Sequence, residues 1–322
     1  MPTISNPTAG DVHVNRPLTN FSQKFLQSED RFVSLRAMPN NPVDKQSDLY
    51  YVFNRGDFYR DTAQERSDGA ESAGGSFRLS TSPYFAKVYA FHKDVTDRQR
   101  SNQDPAVVLD NSAAQYVATK LMLLRERLFL TAYLNTGSVW GTDQNVKWLT
   151  GAFDDPIATI RFAMQTVHKN TGYRPNKMLI GRTGYDTLLD NDEIVARISG
   201  GATATVPAKV QRTLLANLFE LDEIFVADSV SNTANEGATD SYSFQAADNC
   251  LIYYAPNTVG LEEPTAGSQF SWTGFMGATP NGMRMKRFRM EANEADRIEG
   301  QMAFDYRLTA PELGYLFTTV SA

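Results

Sequence analysis

The side chains able to do chemistry are few in this sequence, and they are scattered. The three histidines, His13, His92 and His168, stand far apart along the chain. No two have the close spacing that sets a pair of imidazoles on one helical face around a metal ion. The one cysteine, Cys250, lies in the apolar run Cys250-Leu251-Ile252-Tyr253-Tyr254, where a thiol behaves as a small buried hydrophobe rather than as a nucleophile. There is no Gly-x-Ser-x-Gly elbow, and Ser199-Gly200-Gly201 is not followed by the Lys-Ser/Thr of a phosphate-cradling loop. The carboxylate neighbours Asp154/Asp155, Asp222/Glu223 and Glu262/Glu263 read as solvated charge in loops and caps, since an acid/base dyad needs environments that push its two pKa values apart. One segment is concentrated in charge. Arg284, Lys286, Arg287 and Arg289 fall within eight residues, Met283 to Met290, and Glu291, Glu294, Asp296 and Glu299 follow at once. The run has the charge to touch phosphate, but ion pairing within the strand or between subunits suffices to account for it. The expectation is therefore no enzyme, no metal and no cofactor.

Composition agrees. A chain of 322 residues, 42% hydrophobic, slightly exceeds the size at which a single core stops growing, so two lobes are expected. Charged residues make up 21% and the formal net charge is -6, which gives no broad basic surface for coating nucleic acid. Residues 1 to 20 show no basic patch leading into an apolar run, and no stretch is apolar for long enough to cross a bilayer. A soluble protein made in the cytosol, without membrane partners, is expected.

The elements that must position these side chains follow from the pattern. Residues 1–47 carry Pro2, Pro7, Pro17, Pro39 and Pro42, spaced so that no long helix or central strand forms across them. This reads as an extended arm with apolar anchors at Phe21, Phe25, Leu26, Phe32 and Leu35. Leu49 to Arg60 and Phe77 to Phe91 are rich in aromatic and β-branched residues and predict two strands, separated by the polar, glycine-containing stretch from Asp61 to Ser76. A long two-stranded hairpin is marginal alone in water and wants a neighbour to lie upon.

Asp110 to Thr136 gives the strongest helix signal, with Ala113, Val117, Leu121, Leu124, Leu128 and Ala132 on one face and Met122, Phe129 and Tyr133 on another, behind a capping cluster at Asp110, Asn111 and Ser112. Such a helix would span roughly 39 Å and be covered on more than one side. Asp155-Pro156 opens a further helix that Gly172 closes. Short elements then alternate: a strand near Lys177–Ile180, a helix from Thr183 to Leu189, a flexible loop at 199–205, a helix after Pro207, strands at Glu223–Ala227 and Asn249–Ala255. Near the end, Ile298, Met302, Phe304, Tyr306 and Leu308 alternate with charged and polar residues, and Leu313, Tyr315 and Phe317 resume the alternation after Pro311. A long antiparallel strand is expected there.

That order, with the segments Asn170 to Ile180 (NTGYRPNKMLI) and Arg297 to Val320, resembles the Hong Kong 97-type fold of the major capsid proteins of tailed double-stranded DNA bacteriophages. The resemblance covers nearly the whole chain and rests on order and proportions. It implies an α+β fold divided into an N-arm (1–47), an extended hairpin or E-loop (48–92), a peripheral domain (93–154) with its spine helix at 110–136, an axial α/β domain (155–267), and return strands of the peripheral domain (268–322). It also implies a function: self-assembly through hexamers and pentamers into an icosahedral head shell, built in the host cytoplasm and residing in the virion. The implied partners are further copies of the chain, scaffolding, portal and decoration proteins, and packaged DNA touched only weakly. Contacts between copies are expected from the hairpin and arm aromatics Phe21, Phe25, Phe32, Tyr51, Phe53, Phe58, Phe77 and Phe85, with ionic contacts from Arg284, Lys286, Arg287 and Arg289. Some relatives weld subunits through a lysine near the hairpin tip. No lysine lies between Gln46 and Ala86, so noncovalent cohesion is expected here. An encapsulin-like nanocompartment shares the implied fold, although its relatives tend to start with a helix rather than a proline-rich arm. An oligomeric α/β enzyme with a site dispersed in sequence is the alternative from another class.

Overall fold

The computed structural model describes residues 27–102, 108–135, 139–148, 155–199, 211–258, 260, 263–274 and 278–321. Phe21 and Phe25, the loop expected at 199–205 beyond its first residue, and Pro207 to Val210 lie outside them.

Two five-stranded sheets carry the fold. The first is organised by the alternating segment near the end of the chain, which forms β13 (Ala295–Leu308). One side of β13 pairs with β4 (Lys87–Thr96); the other pairs with β12 (Met283–Met290) and then with β11 (Gly267–Trp272), all antiparallel. Beside β11, β1 (Asn40–Val43) adds in parallel. Pro42 lacks the N–H a central strand needs, and an edge is where it is tolerated.

The second sheet runs β5 (Asp143–Asn145), β14 (Gly314–Thr318), β10 (Asn249–Tyr253), β6 (Lys177–Gly181), β7 (Glu223–Ala227). Between β7 and β10 the chain forms a separate two-stranded ribbon, β8 (Val230–Asn232) with β9 (Tyr242–Phe244). The inner strands of the second sheet are apolar on both faces, and each face has its own cover. Met178, Ile180, Ile224, Val226, Cys250, Ile252, Tyr315 and Phe317 meet a layer of helices that includes Ile160 and Met164, Leu188, Ile194, and Leu215 and Phe219. These come from α4 (Pro156–Thr171), α5 (Arg182–Leu189), α6 (Asp192–Ser199) and α7 (Arg212–Phe219). Helices of eight residues are not stable alone in water, so this shared core is what holds them. Leu179, Phe225, Leu251, Tyr253 and Leu316 point the other way, into a second core.

That second core explains why the long helix α3 (Leu109–Tyr133) has two apolar faces. Its last turns, with Phe129, Leu130 and Tyr133, pack on the back of the second sheet together with Val33, Ala37 and Met38 from the arm. Its earlier turns, with Ala113, Val117 and Leu121, pack beneath the first sheet against Ile298, Met302 and Phe304. At 1.5 Å per residue the helix is about 37 Å long and ties both sheets into one body. It lacks the side-chain cap expected of Asp110, Asn111 and Ser112: Val108 is the N-cap and makes no side-chain bond. These three sit inside the first turn, and Asp110 spends its carboxylate on Arg100 and Arg287 instead.

Three further differences from the sequence expectation have local causes. The strand expected from Leu49 to Arg60 stops at Phe53, because Asn54 caps a single turn, α1 (Arg55–Phe58), by accepting from Gly56 N at 3.0 Å. The strand expected from Phe77 to Phe91 is two, β3 (Leu79–Phe85) and β4, divided at Ala86, whose backbone bonds to Gln46. The final strand leaves the first sheet altogether. Pro311 opens a 3-10 turn, and Gly314 to Thr318 cross to the second sheet, antiparallel to β10.

A candidate assembly surface on the hairpin

β3 pairs antiparallel with β2 (Ser47–Phe53) in the register Ser47↔Phe85 to Phe53↔Leu79. Residues opposite each other in such a ladder share a face, so Leu49, Tyr51 and Phe53 stand with Leu79 and Phe85 on one side, and Tyr50 and Val52 with Ser80, Ser82 and Tyr84 on the other. The second face is turned to the body at its base. The Tyr84 ring stacks on that of the buried Phe270 with centroids 4.6 Å apart and planes nearly parallel, and Tyr50 stacks on the same ring at 5.4 Å. Phe85 N donates to Asp305 Oδ2 at 2.9 Å. The first face is apolar and open to solvent: Leu49 is 57% exposed, Tyr51 68%, Phe53 41%, Leu79 49% and Phe85 47%.

At the far end the apolar face widens. Phe58 and Phe77 are each 58% exposed and close on Phe53, with ring centroids 6.1, 6.0 and 5.4 Å apart around the triangle. An ion pair links the residues next to Phe58 and Phe77, Asp57 and Arg78. Arg78 donates through its backbone N, Nε and Nη2 to the Asp57 carboxylate at 3.0, 3.1 and 3.2 Å, and those hydrogen bonds hold the Asp57 carboxyl below its usual range. Soluble monomers rarely expose large contiguous apolar faces, which makes this side of the hairpin a candidate interaction surface. Aromatic groups dominate interface energetics because each removes a large area from water.

The basic run is arranged differently. Arg289 grips Asp97 with two bonds of 2.7 and 2.6 Å, and Arg287 reaches Asp296 at 2.7 Å and Asp110 at 3.1 Å. Arg100 closes the network on Asp110 and Asp296 at 3.0 and 2.9 Å. Asp97 and Arg100 belong to α2 (Asp97–Ser101), so the network joins α2, the start of α3, β12 and β13. Arg284 Nε donates to Gln301 Oε1 at 2.8 Å, and Lys286 is exposed on β12. The partners thus include Asp97 and Asp110, remote in sequence, as well as the acids that follow the run.

Phe32 corrects an expectation. Foreseen as an arm contact to another copy, it is 4% exposed and packed inside its own chain, where the arm turns across the body. The anchoring of the arm there was not visible in the sequence. Glu126 of α3 is fully buried and accepts from Val33 N at 3.0 Å and Ser34 N at 2.9 Å. Burial raises its carboxyl above the ordinary value, and the two backbone donors oppose that shift. The adjacent Arg125, equally buried, donates to Asn281 O at 3.1 Å and lies 5.0 Å over the Phe304 ring. Of the hairpin residues foreseen, Tyr51, Phe53, Phe58, Phe77 and Phe85 come to one surface; Leu49 and Leu79 join them, found only from the register. Among the described residues no three His, Cys, Asp or Glu side chains are grouped to hold a metal ion, and no helix is long and apolar enough to cross a membrane.

No protein-family model matches the chain. The major capsid protein of Burkholderia phage BcepMu is 22% identical over 227 residues, 69% of this chain and 70% of that one. Among solved structures, a phage-related protein of Bordetella bronchiseptica superposes with a TM-score of 0.64 at 15% identity, covering 91% of this chain and 93% of the other. The capsid structure of cyanophage P-SCSP1u superposes at 0.59 and 11% identity, covering 99% and 96%. The fold these likenesses define is the Hong Kong 97-type fold of viral shell proteins, in its α+β form. Within it, the chain resembles the major capsid proteins of tailed bacteriophages.

Proposed function

We propose that the chain is a structural, shell-building subunit, the major capsid protein of a tailed phage, and that copies of it assemble through hexamers and pentamers into the head. The observation that carries this reading is the solvent-facing apolar side of the hairpin, on a body whose fold is that of capsid proteins. Two strands with no core of their own need a surface to cover that side, and a second copy of the chain supplies one at every position of a lattice. Cohesion is multivalent: once one contact is made, the effective concentration of the next rises, so individually modest contacts close a stable shell. Residues 1–47 act as N-arm, 48–92 as E-loop, 93–154 and 268–322 as peripheral domain and 155–267 as axial domain, with β5 and β14 lent to the axial sheet. Phe53, Phe58, Phe77, Tyr51 and Phe85 carry the contact between copies. Scaffolding, portal and decoration proteins are the accessory partners, and subunits of net charge -6 do not hold packaged DNA tightly.

The test is size-exclusion chromatography with negative-stain electron microscopy of the purified full chain, alone and with a scaffold. Closed shells, or free hexamers and pentamers, are expected. A small monodisperse dimer or tetramer under every salt and scaffold condition overturns the reading and favours an oligomeric enzyme; shells that enclose a protein cargo in place of a genome favour a nanocompartment.

A further inference from the structure

One bond joins the far end of the hairpin to the α/β lobe of the same chain. Tyr59 follows α1 at the end of the aromatic triangle, and its ring is 58% exposed. Its hydroxyl nevertheless donates to the backbone carbonyl of Thr171 at 2.6 Å, across 112 positions of sequence. Thr171 is the last residue of α4, and carbonyls of a helix's final turn have no partner within the helix. They also gather the negative end of the helix dipole, which favours a donor there. Gly172 N already returns to His168 O at 2.7 Å, so Tyr59 satisfies a different carbonyl of the same terminus.

Position 172 is adapted to this contact in two ways. Its φ of 72° is the left-handed conformation that favours glycine. A methyl group there would also stand 2.8 Å from Tyr59 Oη and 3.2 Å from Cζ, too close for the tyrosine to keep its place. Among the described residues, no other hydrogen bond runs from 54–78 to the body. The hairpin is therefore tied at its base by Phe85 N on Asp305 and by Tyr50 and Tyr84 on Phe270, and at its far end its one hydrogen bond to the body is that of Tyr59, whose ring lies against Gly172.

We infer that Tyr59 is a latch: it parks the hairpin against the chain's own α/β lobe in the unassembled subunit and lets go when a second copy takes the apolar face. A neutral hydrogen bond is worth little net of the water it displaces, while covering several half-exposed aromatic rings is worth far more. The bond is thus strong enough to choose the hairpin's resting position and weak enough for a neighbour to override. The latch restrains early association, because an unparked hairpin sweeps its aromatic face through a wider volume. Release by a second copy, and this consequence for assembly, rest on the shell-building reading; the parking of the hairpin by Tyr59 does not.

The experiment places spin labels at Asp68→Cys on the hairpin and Gln165→Cys on α4, both exposed positions, in the full chain, with Cys250 buried and unreactive. Pulsed dipolar spectroscopy then compares three backgrounds under conditions that keep the chain monomeric. With Tyr59 in place the distance distribution is expected to be narrow. Tyr59→Phe, which keeps the ring and removes only the donor, is expected to broaden it, raising the unparked population about two- to tenfold, the equilibrium equivalent of one neutral hydrogen bond. Gly172→Ala, which displaces the tyrosine, should broaden it likewise. An unchanged distribution in Tyr59→Phe overturns the latch whatever the chain assembles into. Assembly followed by light scattering is expected to start sooner in Tyr59→Phe. Equal lag times in variant and parent overturn the restraint on association, whereas a parent that forms no particles at all refutes the shell reading and leaves the latch to be judged on the distances alone.

Discussion

Replacing Glu126 by alanine tests how the arm is held. In the native chain both carboxylate oxygens are buried and occupied, one by Val33 N at 3.0 Å and the other by Ser34 N at 2.9 Å. Alanine leaves two backbone donors in a site closed to water, and an unsatisfied buried group costs about 1–3 kcal/mol. Against that stands the desolvation of the carboxylate, which the variant no longer bears and which is large enough to raise its pKa. The balance should be a net loss of about 2–4 kcal/mol. Glutamine keeps one acceptor oxygen and turns a donor toward the other amide, so Glu126→Gln should fall between. Urea unfolding at pH 7 measures the loss, and hydrogen exchange at the amides of Val33 and Ser34 shows where it occurs: both should exchange much faster in the alanine variant. The pH dependence adds a sign. Because the folded carboxyl titrates above 4.5, the folded state holds an extra proton between the ordinary value and the raised one. Stability from this group therefore falls as pH rises through that window and is level above it, and Glu126→Gln should lack the slope. An alanine variant as stable as the parent, with Val33 and Ser34 still protected, would refute the account of the arm.

Four other outcomes are expected. Serine at Phe53, Phe58 and Phe77 together should leave thermal unfolding of the monomer almost unchanged, since all three rings are exposed, while abolishing particles in negative-stain micrographs. Deleting residues 61–76 should give a folded monomer by circular dichroism that builds no stable shell; robust particles from it would exclude a role for the tip. Gly300→Ala should cost about 1–3 kcal/mol in chemical unfolding, because a methyl there would lie 2.5 Å from Leu121 Cδ1 and 2.7 Å from Val117 Cγ1, forcing β13 away from α3. Asp97 is held below the ordinary carboxylate range mainly by its hydrogen bond from Arg289, and Asp296 mainly by that from Arg287. Their contribution is present above the ordinary aspartate value and is lost as pH falls through the lowered one, so Asp97→Asn with Asp296→Asn should flatten the acid limb of the stability curve followed by near-ultraviolet circular dichroism.

Elements whose pattern is local could be read from the amino-acid order without any partner. The two apolar faces of 109–133, the cap at Asp155-Pro156 with Gly172, and the alternation through β13 are all periodicities of a few residues, and each element formed where the pattern placed it. The hairpin aromatics were equally legible, because a run of large rings beside a polar tip needs no partner to be recognised. Direction and pairing were another matter. Nothing near Gly314 says that its strand joins β10 rather than continuing with β13, since both sheets accept an alternating apolar strand and the choice follows from the turn at Pro311. The face on which Leu49 and Leu79 stand depends on register, where a shift of one residue would exchange the two sides. Phe32 reads as an anchor in either case, and only the path of the arm across the body decides that it is buried at home. Glu126 looks like any charged residue of a long helix until Val33 and Ser34 are brought to it from 93 and 92 positions away. Local pattern is written in neighbouring residues; the partner of a buried charge or of an exposed strand is set by the closing of long loops, and so belongs to the tertiary structure alone.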